Sequence, residues 1–242
     1  MSELYLTIDL GNTRAKAGLF ENDILVSKRE NLSDRKLLNM AADLKPARIA
    51  LSTVRKSNRR LTSRLESISR VLCLRYDTPL PFAIAYATPD TLGTDRIAAA
   101  AGAWGLFPGK TCMIIDAGTC ITYDLLHAER GFLGGAIAPG IDMKLRALHK
   151  FTSGLPRIAS RQETGLIGQS TRNCMLSGVV NGTLAEMKGF ISAYREESDD
   201  LVVLLCGGDA KFFESKLKQP IFAVPDLVLM GLHEILRYNS RP

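Results

Sequence analysis

Tyr5-Leu6-Thr7-Ile8-Asp9-Leu10-Gly11-Asn12-Thr13 is the stretch on which the fold turns. Leu4, Leu6 and Ile8 alternate with Tyr5 and Thr7, the two-residue period of a strand built from good strand formers. The strand runs into an acidic residue, then Gly-Asn-Thr, and a second strand-like run follows with Ala15, Ala17, Leu19 and Phe20. Strand, tight turn and returning strand predict a β-hairpin. Its tip offers backbone N–H groups, a hydroxyl, an amide and a carboxylate, a set that suits a nucleotide phosphate and its metal ion. The same residues also serve as an ordinary turn, for purely conformational reasons.

A second copy favours the phosphate reading. At 112–119 the chain reads Cys-Met-Ile-Ile-Asp-Ala-Gly-Thr, again an apolar strand ending in Asp-x-Gly, and Ile121-Thr122-Tyr123-Asp124-Leu125-Leu126 returns. Asp9 and Asp116 are separated by almost half the chain. The repeat predicts two similar halves, 1–108 and 109–242, facing each other across a cleft, with the boundary at Phe107-Pro108-Gly109-Lys110.

Composition sets the outer bounds. The 242 residues are 46% hydrophobic and 23% charged, an ordinary globular balance with ample core. The net charge of +6 fits an anionic ligand or nucleic acid without proving either. Cys73, Cys112, Cys120, Cys174 and Cys206 are scattered, odd in number and without CxxC spacing, so reduced thiols in the cytoplasm are expected rather than a disulfide framework or a zinc site. Met1-Ser2-Glu3 does not start a secretory signal, and no apolar run approaches membrane-spanning length. A cytoplasmic protein is expected.

Between the hairpins the pattern alternates. A third strand is expected at Asp23–Ser27, then a helix capped by Ser33 or Asp34 and running to Leu44 on Leu37, Leu38, Ala41 and Ala42. Strands at 47–52 and 71–74 flank a helix that ends near Ser69. This order gives an α/β layer arrangement. The basic run Arg55, Lys56, Arg59, Arg60 and Arg64 lacks interleaved aromatics and reads as a solvated helix face, not a nucleic-acid site.

Thr91-Leu92-Gly93-Thr94-Asp95-Arg96 precedes the helical run Ile97–Trp104, with Thr94 at or near the cap. Asp95 has two readings: an acid complementing the helix dipole, or a carboxylate beside a guanidinium that accepts a hydroxyl proton. The second half continues with Gly134-Gly135, where close backbone approach is expected, and a helix over 141–149. A long helix starts near Gly168 or Ser170, with Thr171 in its first turn and small residues Ser177, Gly178, Gly182 and Thr183. A buried parallel strand, Leu201–Cys206, ends in Gly207-Gly208-Asp209, and an amphipathic tail over 227–236 closes the chain. Walker-type GxxxxGK(S/T) and kinase-type GxGxxG are both lacking.

Taken in order, Asp9-Leu10-Gly11-Asn12-Thr13, Tyr86 ahead of Gly93-Thr94-Asp95-Arg96, Asp116-Ala117-Gly118-Thr119, Gly134–Gly140, Thr171 with Ser177-Gly178, and Gly207-Gly208-Asp209 resemble the type III pantothenate kinases, of the superfamily of actin, sugar kinases and heat-shock ATPases. The resemblance spans essentially the whole chain and departs at Cys120, where a small residue such as Ala is expected. It implies a homodimer of two ribonuclease-H-like halves, each a mixed β-sheet flanked by helices, with ATP in a central cleft. Asp9, Leu10, Gly11, Asn12, Thr13, Arg14, Ala15, Lys16 and Thr119 would bind ATP, and Asp95 would be the base. Tyr86, Gly93, Thr94, Asp95, Arg96 and Thr171 would line the pantothenate site. Mg²⁺ would accompany ATP, and Asp116 would hold K⁺ or NH₄⁺, supplying positive charge where other kinases use Lys. A sugar kinase of the same superfamily, or a regulatory protein that retains the fold and binds duplex DNA, are the competing readings.

Overall fold

The expected first hairpin is the centre of a five-stranded sheet in the computed structural model, which describes residues 3–11, 15–53, 59–158, 162–217 and 220–240. Strand β1 (Leu4–Leu10) pairs antiparallel with β2 (Ala15–Glu21), and β2 with β3 (Ile24–Glu30). On its other side β1 pairs parallel with β4 (Arg48–Thr53), and β4 with β5 (Arg70–Cys73), giving the order β3-β2-β1-β4-β5. The second sheet comprises β6 (Cys112–Ala117), β7 (Cys120–His127), β8 (Gly131–Pro139), β9 (Val202–Cys206) and β10 (Phe222–Ala223). Its order is β10-β9-β6-β7-β8, with β6–β9 and β9–β10 parallel. Both sheets therefore run third, second, first, fourth, fifth along their own strand sequence. The repeated Asp-x-Gly stretches are the first strands of the two copies.

The chain clusters into two compact units, Met1–Gly109 with Leu126–Gly134 and Asp226–Pro242, and Lys110–Leu125 with Gly135–Pro225. In the first unit both faces of the sheet are covered, so Leu6, Ile8, Leu10 and the intervening Thr7 are all fully buried. Helices α1 (Asp34–Leu44) and α2 (Arg59–Glu66) bury Leu37, Leu38, Ala41, Leu61 and Leu65 with Leu6, Ile8 and Leu51. Ser33 caps α1, its hydroxyl accepting from the Lys36 N–H at 3.4 Å. Leu37, Leu38 and Ala41 lie on the expected apolar side of that helix, Met40 is buried with them, and Ala42 faces solvent instead. Helix α2 stops at Glu66 because Leu65 O takes both the Ile68 and Ser69 N–H groups, a tightened last turn. Arg55 and Lys56 of the basic run lie outside the described residues; Arg59, Arg60 and Arg64 are exposed on α2.

Helix α3 (Thr94–Leu106) packs against α7 (Leu227–Tyr238), which also covers β1 and β4. The two helices cross at backbone distance: a Cβ on Gly102 would collide with the Leu227 carbonyl, and one on Gly231 with that of Ala98. Ala98–Ala101 on α3 are the small side chains that such a crossing admits.

In the second unit α4 (Ile141–Lys150), α5 (Thr171–Glu197) and α6 (Ala210–Glu214) bury Ile141, Leu145, Val179, Met187, Ile191 and Phe213 with Met113, Ile115 and Leu205. A polar network crosses this packing. Lys144 Nζ donates to Glu186 Oε2 at 2.9 Å and to Thr183 at 3.0 Å, and Tyr123 donates to Glu186 Oε1 at 2.7 Å. No disulfide joins cysteines among the described residues; Cys112 and Cys206 are buried in strands, and burial pushes the Cys112 thiol up to about 12. Among the described residues no helix is long and apolar enough to cross a membrane.

Candidate active site

Asp9 stands near the end of β1, opposite Lys16 on β2 and beside Ser52 on β4. Leu10 pairs with Ala15 and with Thr53, and both Leu10 and Ala15 are buried, so these two offer the site main chain rather than side chain. Lys16 Nζ lies 3.9 Å from Glu30 across the sheet. Gly11 is half-buried; Asn12, Thr13 and Arg14 lie outside the described residues.

The same sheet edge anchors the start of α3. The Thr94 hydroxyl lies 3.0 Å from that of Ser52, accepts from the Thr53 N–H at 3.2 Å and faces the Thr53 carbonyl at 3.2 Å. Thr94 is the first helical residue and Gly93 occupies the cap, one position earlier than expected. Thr94 is thereby a tether between helix and sheet, and it brings Asp95 to the edge that carries Asp9. Ser52 and Thr53 are contributors that no motif singled out; their one sequence signal is that two hydroxyl residues end an apolar strand.

Asp95 is half-buried, and its Oδ1 accepts from the Arg96 N–H at 2.9 Å. Burial pushes the Asp95 carboxyl above the ordinary carboxylate range, against the opposing pull of backbone N–H groups and the Arg96 charge. Arg96 is buried, and its guanidinium rests on two rings, 5.8 Å from the centre of Tyr86 and 5.6 Å from that of Phe132. Tyr86, Gly93, Thr94, Asp95 and Arg96 are thus brought together in the first unit. The arrangement combines a carboxylate of raised proton affinity, a guanidinium and an aromatic wall.

In the second unit Asp116 pairs in register with Cys206 at the end of β6. The turn after β9 closes over it: Gly207 has φ +91°, where an L side chain is strained, and a Cβ there would collide with Asp116 Oδ1 and the Ala117 carbonyl. Asp209 N–H donates to Ala117 O at 2.8 Å and completes the closure. The turn's carboxylate and carbonyl oxygens are hard donors, of the kind a potassium-like cation takes. Thr119 is exposed, and its carbonyl accepts from Gly140 N–H at 3.0 Å. Thr171 is exposed in the first turn of α5, which Ser170 caps by accepting from Asn173 N–H at 3.2 Å. Further along α5, Ser177 and Thr183 are buried, whereas a Cβ on Gly178, Gly182 or Gly189 would meet nothing within 4 Å among the described residues.

The sequence model of the type III pantothenate kinase family matches residues 5–193. A type III pantothenate kinase of Cytophaga hutchinsonii is 42% identical over 234 residues, covering 97% of this chain and 99% of that one. One of Christiangramia forsetii is 42% identical over 239 residues, covering 97% and 98%. Among solved structures, a Campylobacter jejuni protein described as a Baf family transcriptional activator superposes with a TM-score of 0.64 at 23% identity, over 97% of this chain and 98% of that one. A glucokinase from an Antarctic psychrotroph superposes with a TM-score of 0.56 at 12% identity, over 99% and 100%. These two structures share the fold. On the sequence matches, the chain belongs to the type III pantothenate kinase family.

Proposed function

We propose that this enzyme transfers the γ-phosphoryl group of ATP to the primary hydroxyl of pantothenate, giving 4'-phosphopantothenate, the first step of coenzyme A biosynthesis. The observation that carries the reading, beside family membership, is Asp95. It is a carboxylate with an elevated proton affinity, next to the ring-held Arg96, on a helix whose first residue is tied to the sheet edge bearing Asp9.

In the proposed reaction the hydroxyl oxygen attacks phosphorus in line. The new O–P bond forms as the bond from the γ-phosphorus to the bridging oxygen breaks, ADP departs, and the hydroxyl proton passes to Asp95. Arg96 and Tyr86 orient pantothenate, with Gly93, Thr94 and Thr171 completing its contacts. Because the Thr94 hydroxyl is engaged with Ser52 and Thr53, Thr94 serves through its main chain and by placing Asp95. Asp9 through Lys16 and Thr119 receive the ATP phosphates, chiefly through main-chain N–H groups. Mg²⁺ bound with the nucleotide would offset charge on the phosphate oxygens, with Asp9 as the residue that holds it or its waters. Asp116, under the Gly207 turn, is the candidate holder of K⁺ or NH₄⁺. The exposed glycine stripe on α5 and the exposed Leu166 and Ile167 support a homodimer, and the reading places the enzyme in the cytoplasm.

The deciding experiment incubates purified protein with ATP, Mg²⁺ and pantothenate in potassium and then in sodium buffer. Phosphopantothenate formed in potassium and greatly reduced in sodium is the expected result. Turnover of hexoses in place of pantothenate would overturn the acceptor.

A further inference from the structure

Two aromatic rings hold the Arg96 side chain, and one of them belongs to a residue outside every motif of the sequence. Phe132 is fully buried and Arg96 is 8% exposed. The Phe132 and Tyr86 ring centres lie 6.2 Å apart, the rings inclined at 60°, with the guanidinium against both. A ring face attracts a guanidinium through its quadrupole, and that contact uses none of the N–H donors.

The same short segment also places Tyr86. Phe132 N–H donates to Ala83 O at 2.8 Å, Ala85 N–H donates to Phe132 O at 2.9 Å, and Ile84 and Phe132 form a parallel bridge. Two glycines make this approach feasible. Gly131 and Gly134 have φ of +76° and +107°; a Cβ on Gly131 would collide with the Ala83 main chain, and one on Gly134 would stand 3.0 Å from the Tyr86 ring. Gly131-Phe132-Leu133-Gly134 is therefore a backing for the segment 83–86 as well as for Arg96.

We propose that Phe132 is a positioning residue for the acceptor substrate: its ring, seated by Gly131 and Gly134, fixes the Arg96 guanidinium and the Tyr86 ring in the arrangement that receives pantothenate. The inference rests on the reading of Arg96 and Tyr86 as substrate contacts. Loss of the ring face removes one of the contacts that fix the guanidinium, and substrate binding must then supply more of its ordering. The loss is expected in acceptor binding rather than in the chemical step.

The test is steady-state kinetics on the full chain, with pantothenate and ATP varied in turn. Phe132→Leu keeps an apolar side chain in the buried place and removes the ring face; Phe132→Tyr keeps the face. Phe132→Leu is expected to raise KM for pantothenate about tenfold, with kcat and KM for ATP within about twofold of wild type. Phe132→Tyr is expected to stay near wild type. With Arg96→Met already present, Phe132→Leu should raise KM by less than about threefold, since the ring then has no guanidinium to hold. Phe132→Met replaces the leucine variant if that one does not fold. Unchanged KM for pantothenate, or equal rises in both Michaelis constants, overturns the proposal. A wild type unable to phosphorylate pantothenate overturns the reading beneath it, whereas an active wild type with an unaltered Phe132→Leu overturns only the placement by Phe132.

Discussion

The Asp95 carboxylate folds back over Gly93 so closely that a Cβ on that glycine would lie 2.5 Å from Asp95 Oδ1. Gly93 has φ −59° and ψ 133°, which alanine adopts freely, so only the carboxylate forbids a side chain there. Gly93→Ala is expected to lower kcat by about 10²-fold through displacement of Asp95, with Tm close to wild type. An active alanine variant would show that Asp95 works from another position.

Asp95→Asn separates catalysis from stability. As the proposed base, Asp95 should account for about 10²–10⁴-fold in kcat, with little change in ATP affinity. Its raised affinity for a proton means that the charged form destabilises the fold at neutral pH: the stability linked to this group is full below the unfolded pKa and lost as pH rises through the folded one. The uncharged Asn keeps the Oδ1 acceptor, so Tm at neutral pH should rise while turnover falls. A lower Tm would contradict the burial argument. In the wild type the acid limb of the kcat/KM profile should lie above the ordinary aspartate range.

His233 predicts acid sensitivity in the first unit. It is buried, stacked on Phe20 with ring centres 4.2 Å apart, and its Nε2 lies 3.3 Å from Asp23 Oδ1, while Nδ1 has no hydrogen-bond partner among the described residues. Burial lowers its proton affinity, against the opposing pull of Asp23. A lowered folded pKa gives stability that is full above the unfolded value, about 6.5, and lost as pH falls through the folded one. Tm should fall as pH drops below that unfolded value, and less steeply in His233→Phe, which keeps the stack.

Gly207→Ala tests the turn over Asp116. The positive φ costs an L residue about 1–3 kcal/mol, and the collision with Asp116 and Ala117 adds to it. The denaturant midpoint should drop, and activation by potassium should weaken in whatever protein folds. Wild-type potassium dependence would dissociate this turn from the cation.

Lys144→Met removes one side of the Lys144–Glu186–Tyr123 network. The pair is 20% and 29% exposed at its side chains, so the loss is expected at about 1–2 kcal/mol, read from chemical denaturation. Glu186→Gln, which keeps an acceptor for the Tyr123 hydroxyl, should cost less.

Local chemistry was legible in the chain itself. A period-two run marked β1, an apolar run marked β6 and Ser33 marked the start of α1, because strand and cap signals act over a few residues. The recurrence of Asp-x-Gly suggested two similar halves, and the strand order that the two sheets share came from the structure. Arg96, Tyr86 and Asp95 were readable as a group through the family resemblance. What only the tertiary structure decided involves partners distant in sequence: Thr94 on Ser52 and Thr53, Gly207 over Asp116, and Phe132 behind Arg96. No pattern along the chain encodes which buried ring will face which guanidinium, since packing couples residues through space. For the same reason the elevated proton affinity of Asp95 belongs to the fold: the side chain is ordinary in sequence, and its burial is not.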